Sequence, residues 1–182
     1  MFLDEIGNRN RLIQLIQDSD FDTFDMLISM FAQPDGIGLD ANELWMQTKT
    51  KSKETLLHLA VIHYVEKSDD RFMKSLWDVN FPMYEEDLNG DIPAFALALW
   101  DIQEEFKHGL QILIDAGFDI NHSNSSGKEL IEFMSEYSIT VDRVEFMKKC
   151  GLAISNLDTV QVNIRENEYL SEDQKEQILS LL

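Results

Sequence analysis

A chain of 182 residues is long enough for a domain with its own core, and an apolar content of 44% excludes an intrinsically disordered protein. Acidic residues outnumber basic ones by 34 to 15, and the net charge of −19 argues against binding to nucleic acid phosphates or anionic lipid surfaces. The same charge either suits a basic partner or serves only solubility.

The first 50 residues show two apolar faces at helical spacing, one within residues 12–16 and one within residues 24–31. Asp20 or Asp22 is expected to cap the second helix. The alternating acids here begin like a calcium loop, but its glycine and its bidentate glutamate are missing, so helix capping explains them better. A turn is predicted at residues 33–36, and no stretch alternates for long enough to predict a strand.

One segment of the chain returns at a fixed step. Its copies begin at Thr55, Ile92 and Glu129, so the step is 37 residues twice. The first copy reads Thr-Leu-Leu-His-Leu-Ala-Val, the second Ile-Pro-Ala-Phe-Ala-Leu-Ala and the third Glu-Leu-Ile-Glu-Phe-Met. A period of this size is typical of stacked helix pairs, and such stacks usually bind macromolecules along one face.

The middle copy has the clearest local signals. Residues 87–91 read Asp-Leu-Asn-Gly-Asp, in which Gly90 permits positive φ, and Pro93 suits a first helical turn. The second helix of this unit is predicted to end at a C-cap, Gly117. The sequence after it, Phe-Asp-Ile-Asn at residues 118–121, is nearly repeated by Trp-Asp-Val-Asn at residues 77–80, where the earlier unit is predicted to end.

These residues resemble the ankyrin repeat family. The turn and Pro93 fit Asp-x-x-Gly-x-Thr-Pro-Leu, with Ile92 and Ala94 in place of Thr and Leu, and residues 55–60 fit Thr-Pro-Leu-His-x-Ala except for Leu56. The resemblance implies an all-α ankyrin-like helix-turn-helix solenoid. It also implies that the histidine at position 58 bonds to turn backbone.

The resemblance covers three units, about residues 51–156, the third of which is degenerate. It implies a single domain, 1–182, with N-terminal capping helices at 1–50 and a C-terminal cap at 157–182. The step of 37 exceeds the family's usual 33, so inserted loops are expected at residues 81–86 and 101–105.

The last helix has a clear start. Ser171 and Gln174 form a capping-box pattern before a helix at about 172–182. The side chains that this helix is expected to bury are Ile178, Leu179, Leu181 and Leu182.

No pattern predicts catalysis. His58 and His63 are five residues apart, which is poor for two ligands on one helical face, and no His-Glu-x-x-His motif or cysteine pair is present. The single cysteine, Cys150, follows two lysines that would lower its pKa, but a buried structural thiol is the favoured interpretation. We therefore predict no catalytic residue, no metal site, no cofactor and no enzyme activity.

The chain also lacks the signals of secretion and membrane insertion. No basic region followed by an apolar run marks a signal peptide at the start, and no stretch of about 20 apolar residues predicts a membrane span. We expect a cytoplasmic protein.

If the ankyrin-like register holds, turn tips and first helices line a concave face that binds a partner. Trp100 and Tyr137 are the strongest candidates on it, because large aromatic side chains supply most interface energy, although Trp100 has the alternative of packing between units. The positions expected to contact a partner are Glu54, His63, Asn89, Asp91, Leu99, Trp100, Asp101, Glu104, Lys128, Glu136 and Tyr137.

The predicted function is protein binding without catalysis. Small acidic ankyrin-like proteins occur beside bacterial toxins, so the resemblance implies an immunity protein, or antitoxin, that occludes a toxin domain; a nuclease toxin would be basic, which matches the charge. The alternative is an ankyrin-like adaptor or secreted effector that docks onto a larger host or regulatory protein. A nucleic-acid mimic and a small enzyme are further alternatives, and neither a nucleic acid nor a membrane is expected as a partner.

Overall fold

A computed structural model describes residues 5–31, 48–99 and 103–182. Within these ranges the regular structure is helical and contains no strand, which confirms the all-α class. The turn predicted at residues 33–36 lies outside them. None of the described helices is long and apolar enough to cross a membrane. The helices are α1 Glu5–Gln17, α2 Phe21–Phe31, α3 Leu56–Lys67, α4 Arg71–Asp78, α5 Pro93–Ala98, α6 Gln103–Asp115, α7 Leu130–Tyr137, α8 Val141–Lys149, α9 Leu157–Glu166 and α10 Glu172–Leu181.

The chain forms two compact units, Met1–Pro93 and Ala94–Leu182. In the first unit α1 packs on α3 and α2 packs on α4, while α1 also contacts α2 and α3 contacts α4. In the second unit α7 packs on α9, and α8 contacts both α6 and α10. Within each unit, therefore, first helices of successive pairs pack together and second helices pack together. Fully buried core side chains include Leu12, Phe24, Leu56 and Phe72 in the first unit and Phe106, Leu110, Val144 and Ile164 in the second.

The 37-residue step of the sequence is also present in the turns. Three turns begin at Thr50, Asp87 and Asn124, and the amide of each of these residues donates to the carbonyl four residues later at 3.0 Å. The side-chain oxygen of the same residue accepts the amide of that later residue, at 2.8–3.2 Å. Short polar side chains thus close each turn by bonding to local backbone, which is why these residue types begin them.

The fourth position of each turn has positive φ, and it is Gly90 (+81°), Gly127 (+82°) or Lys53 (+61°). A lysine in this conformation is strained by its Cβ atom, whereas glycine is not. We expect Lys53→Gly to raise the free energy of unfolding by about 0.5–1 kcal/mol in urea denaturation. Lys51→Gly, an exposed residue of the same turn without positive φ, is the matched control and should give no gain. If Lys53→Gly and Lys51→Gly change the free energy of unfolding equally, the prediction is wrong.

Three second helices, α4, α6 and α8, end in the same way. Asn80, Gly117 and Gly151 have positive φ, and the amide after each reaches back to the carbonyl five residues earlier at 2.9–3.1 Å. This confirms the predicted C-cap at Gly117. The sequence match that equated residues 77–80 with 118–121 is wrong, because Asn80 takes the place of Gly117. Asparagine fills it since it tolerates the left-handed conformation better than most residues.

Two predicted helix starts are confirmed. The Asp20 carboxylate accepts the amide of Thr23 at 3.3 Å at the start of α2. At the start of α10, the Ser171 amide donates to the Gln174 side chain at 2.9 Å, and the Gln174 amide donates back to the Ser171 hydroxyl at 3.3 Å. Both arrangements satisfy amides that have no partner within the helix.

Two other expectations need correction. Gln103, Glu104 and Glu105 are not an inserted loop but the first turn of α6, where carboxylates are favoured by the helix dipole; residues 101–102 lie outside the described ranges. In α10 the only fully buried member of the expected set is Ile178, because this helix packs along one face on α8 and α9. The half-buried members are Leu179, Leu181 and Leu182.

Candidate protein-binding site

Three predicted contact residues lie in the turns of the first unit. Glu54 is half-buried and accepts a hydrogen bond from the Thr50 hydroxyl at 2.8 Å. Asn89 is exposed at the tip of the next turn, and its amide donates to the Asp87 carboxylate at 2.7 Å. Asp91 is half-buried, and its carbonyl closes the turn by accepting the Asp87 amide. Asn89 is therefore the exposed one of these three, although its side-chain amide also donates to the Asp87 carboxylate at 3.2 Å.

The two turns of the first unit are joined side by side. The Leu88 amide donates to the Ser52 carbonyl at 2.9 Å, and the Lys49 ammonium lies 2.8 Å from the Glu85 carboxylate. Leu88 itself remains largely exposed. Lys49 and Glu85 thus neutralise each other, which lowers the net negative charge of this loop.

His58 links the first helix pair to the next turn. The Thr55 amide donates to Nδ1 of His58 at 3.1 Å, so Nδ1 is an acceptor, and Nε2 carries the proton that it donates to the Asp91 carbonyl at 2.9 Å. Burial lowers the pKa of His58, although the bond to the Asp91 carbonyl acts in the opposite direction. The expectation that this histidine bonds turn backbone is confirmed by these contacts.

The expectation that His63 is an exposed contact residue is wrong. Its side chain is only 6% exposed, and its ring meets Phe72 edge-on with centroids 4.8 Å apart. Its Nε2 has no hydrogen-bond partner and lies 3.9 Å from the Asp69 carboxylate. Burial lowers the pKa of His63, against the charge of Asp69. His63 is a core residue because α4 brings Phe72 against this face of α3.

The lowered pKa values of His58 and His63 predict pH-dependent stability. Since the unfolded chain binds protons more readily than the folded one, stability is full above a pH of about 6.5 and falls as the pH drops from there toward the folded-state pKa values. We expect hydrogen exchange in the first unit to accelerate between about pH 7 and pH 5.5, after correction for intrinsic rates. His63→Leu should weaken this pH dependence, whereas the control His108→Gln, in the second unit, should leave it unchanged. If the pH dependence is the same in His63→Leu, His63 does not contribute to it.

In the second unit, Lys128 and Glu136 form an ion pair. The Lys128 ammonium lies 2.9 Å and 3.0 Å from the two carboxylate oxygens of Glu136, and 6.0 Å from the centre of the Phe133 ring. Partial burial opposes the charged form of Lys128, but the hydrogen bond and charge of Glu136 outweigh it and raise the lysine pKa. Both side chains are half-buried, so the pair contributes to the fold of this unit.

Tyr137 lies at the end of α7 on an aromatic base. Its ring centroid is 5.1 Å from that of Phe133, which in turn stacks on Phe95 at 4.8 Å. Despite this support the Tyr137 side chain is 58% exposed. A large ring held from below and open to solvent is well suited to contact a partner, because its position costs little further entropy to fix.

The second unit contains a cleft of about 310 Å³ beside Tyr137. Leu99, at the end of α5, and Tyr169, in the α9–α10 connector, are 58% and 88% exposed. Buried Ile139 also lines the cleft, as do Asn167 and Leu170 of the connector. Three exposed apolar or aromatic side chains thus surround one concavity, which is more informative than the same residues scattered singly.

The connector that carries Tyr169 is fixed to α7. The Asn167 side chain is buried, donates to the Ser135 carbonyl at 3.2 Å and accepts the Tyr169 amide at 2.9 Å. Asn163 adds a bond to the Ser135 hydroxyl at 3.0 Å. The backbone at Tyr169 is therefore set in place while its side chain remains open.

The cleft combines predicted and unpredicted residues. The sequence predicted Leu99 and Tyr137 as contacts but missed Asn167, Tyr169 and Leu170, which lie in the segment assigned to the C-terminal cap. The available signal was an aromatic and a leucine inside an otherwise polar run, Glu-Asn-Glu-Tyr-Leu-Ser-Glu-Asp at residues 166–173.

The remaining predicted contacts do not gather at the cleft. Glu104 is exposed in the first turn of α6, 3.3 Å from Lys107. Trp100 and Asp101 lie outside the described residues. The residues predicted for the concave face therefore lie at separate positions within the units, and the described residues do not bring them together in one site.

The structure also describes the surroundings of Cys150 and of the potential metal ligands. Cys150 is half-buried, and burial together with the charge of Asp115 raises its pKa, contrary to the lowering that the neighbouring lysines suggested. In the described part of the chain, no group of three His, Cys, Asp or Glu side chains is arranged to hold a metal ion.

Comparison with known proteins gives no assignment: no protein-family model matches the sequence, and no curated protein matches it significantly.

Proposed function

We propose that this chain is a non-catalytic protein-binding module of the ankyrin-like type, and that it is an acidic immunity protein that binds a basic toxin domain and occludes its active site. It would act in the cytoplasm of the cell that produces it. The observation that carries the proposal is the combination, in the second unit, of a cleft with an exposed aromatic rim and a surrounding excess of carboxylates.

Part of the charge excess, four of the 19 net negative charges, lies on the last two helices and their connector. Residues 157–176 carry six exposed carboxylates and two basic side chains, Arg165 and Lys175, the second of which is paired with Glu172 at 2.9 Å. The exposed carboxylates are Asp158, Glu166, Glu168, Glu172, Asp173 and Glu176. A surface of this kind attracts a basic protein and speeds its association.

A nuclease-type toxin would itself be basic, because such an enzyme must attract the phosphates of a nucleic acid. The same positive surface would be steered toward the carboxylates of this chain, and a bound acidic protein would exclude the nucleic acid. The overall charge of −19 supports this reading over one in which the chain itself binds nucleic acid.

An adaptor that docks onto a larger regulatory protein is the second candidate. The rim of the cleft, formed by Leu99, Tyr137 and Tyr169, favours it because apolar contacts need no charge on the partner. The two functions differ in salt dependence: binding through exposed charges is largely screened at about 0.5 M salt, whereas apolar binding is retained.

The test is co-expression with the protein encoded beside the gene of this chain. If the neighbour is toxic, the proposal expects growth to be restored, and the purified pair to bind much more weakly at about 0.5 M than at about 0.05 M salt. The double reversal Glu166→Lys and Glu168→Lys should reduce both effects. Glu66→Lys with Asp78→Lys, which changes the net charge equally at two exposed helix ends of the first unit, should not.

A neighbour that is not toxic but binds with the same strength at both salt concentrations would favour the adaptor. Equal loss of binding in both double variants would indicate that net charge alone, rather than this surface, governs association.

A further inference from the structure

We propose that the cleft lined by Leu99, Tyr137 and Tyr169 is a docking site for an arginine side chain presented by a basic partner protein. This rests on the proposed function, which it extends by naming the contact surface and the chemistry of the residue bound. It places the main contact at the α9–α10 connector and the end of α7, rather than on the turn tips that the sequence favoured.

The size of the cleft limits the occupant. A volume of about 310 Å³ is at the lower end for small-molecule pockets, which start at about 300 Å³, and it is open to solvent through its exposed rim. Such a space suits one inserted side chain and its neighbours on an extended segment. The mixed lining, with the Asn167 amide beside the tyrosines and leucines, suits a side chain that has an aliphatic stem and a polar head.

The charge around the cleft selects a cation. The two chain segments that supply most of its lining, residues 136–142 and 166–175, contain six carboxylates. Glu136, Asp142 and Glu172 lie within 4 Å of lysines, at 2.9, 3.7 and 2.9 Å, which leaves Glu166, Glu168 and Asp173 as the source of the negative field. Glu168 immediately precedes Tyr169, and Asp173 immediately precedes the lining residue Gln174; both carboxylates are exposed. An anionic guest would meet this field unfavourably.

Arg143 lies behind the cleft and is not part of its lining. It donates to the carbonyl of the lining residue Ser138 at 2.9 Å and lies over the Phe106 ring at 4.6 Å. Its side chain is fully buried. It supports the α7–α8 turn from within.

Arginine fits this combination better than lysine. A guanidinium is planar, stacks on aromatic faces and is less strongly hydrated than an ammonium, so it loses less on leaving water. Tyr137 and Tyr169 provide exposed aromatic side chains, and the exposed Glu168 adjoins Tyr169 in the chain, where a carboxylate is available to accept from guanidinium N–H groups. The connector is already fixed by Asn167, so binding needs little backbone ordering.

The chain offers a direct test because it contains four tyrosines. With ¹³C-labelled tyrosine rings, four sets of NMR signals report on buried Tyr64, on Tyr84 of the first unit, and on the two cleft residues. The probe is the peptide acetyl-Leu-Arg-Leu-amide, titrated to about 20 mM, which detects dissociation constants in the millimolar range. The control peptide carries citrulline, a neutral side chain of the same shape, in place of arginine.

We expect saturable shifts of the Tyr137 and Tyr169 signals, no shift of the Tyr64 and Tyr84 signals, and about three- to fivefold weaker binding of the citrulline peptide. Tyr169→Ala should weaken binding of the arginine peptide by a similar factor, Tyr169→Phe should keep it, and Tyr84→Ala is the matched control. Because Tyr169 is 88% exposed, its replacement does not threaten the fold.

The absence of a saturable shift at the two cleft tyrosines, or equal binding of the two peptides, would overturn the docking site. This result is independent of the toxin assay, because the peptide titration needs no natural partner. Growth rescue that is unchanged by combined Tyr137→Ala and Tyr169→Ala would likewise reject the site while leaving the proposed function in place.

Discussion

Replacing Phe72 with alanine should lower the free energy of unfolding of the first unit by about 3–5 kcal/mol, the usual cost of removing a buried aromatic ring. Phe72 is fully buried in α4. Its ring meets Phe24 of α2 at 5.0 Å and His63 of α3 at 4.8 Å, both edge-on, and Phe21 lies 5.4 Å away. One side chain therefore joins three helices, and its loss leaves a cavity that none of them can fill alone.

Urea denaturation monitored by circular dichroism measures the effect, and hydrogen exchange assigns it to the first unit. Trp77→Ala is the matched control, since Trp77 is also an aromatic residue of α4 but is 37% exposed; it should cost less than about 1.5 kcal/mol. Phe72→Leu should fall between the two because it refills part of the cavity. Equal losses for Phe72→Ala and Trp77→Ala would mean that the aromatic cluster is not a centre of stability.

His58→Ala is expected to cost about 2–4 kcal/mol, because it removes two hydrogen bonds at a buried position and leaves the Thr55 amide without its acceptor. The imidazole caps its own helix through Nδ1 and holds the Asp91 turn through Nε2. Its deletion should therefore weaken both α3 and the link from α3 to the following turn.

A second variant separates these two roles. Glutamine at the same position can complete a capping box, as Gln174 does with Ser171 at the start of α10. His58→Gln should therefore recover about half of the stability that His58→Ala loses. Relative to His58→Ala, hydrogen exchange should be slower at the start of α3 but unchanged at residues 87–91. If His58→Gln is as unstable as His58→Ala, capping is not what the histidine contributes.

Local features of this fold were predictable because they depend on residues close together in the chain. Asp20 and Ser171 cap helices through amides three residues away, and Gly117 ends α6 through a bond spanning five residues. The repeat of 37 residues predicted the three turns, whose side chains bond to backbone within four positions. Hydrogen bonds between residues three to five positions apart are sufficient to explain these features.

Exposure was less predictable, because it depends on what another helix places against a residue. His63 has the polarity of a surface residue and was predicted to contact a partner, yet Phe72 covers it. Leu179 lies on the apolar face of its helix, yet only part of it is covered. A residue's polarity indicates its preferred surroundings, but tertiary packing decides which surroundings it has.

The sequence by itself determined the helical class, the caps at Asp20, Gly117 and Ser171, the turn at residues 87–91 and the net charge of −19, since each is a property of composition or of neighbouring residues. Only the tertiary structure decided that Leu99, Tyr137 and Tyr169 surround one cleft. These residues belong to three different helix pairs and share no local motif. They meet because α7 packs on α9, and because Asn167 fixes the α9–α10 connector to the backbone at Ser135.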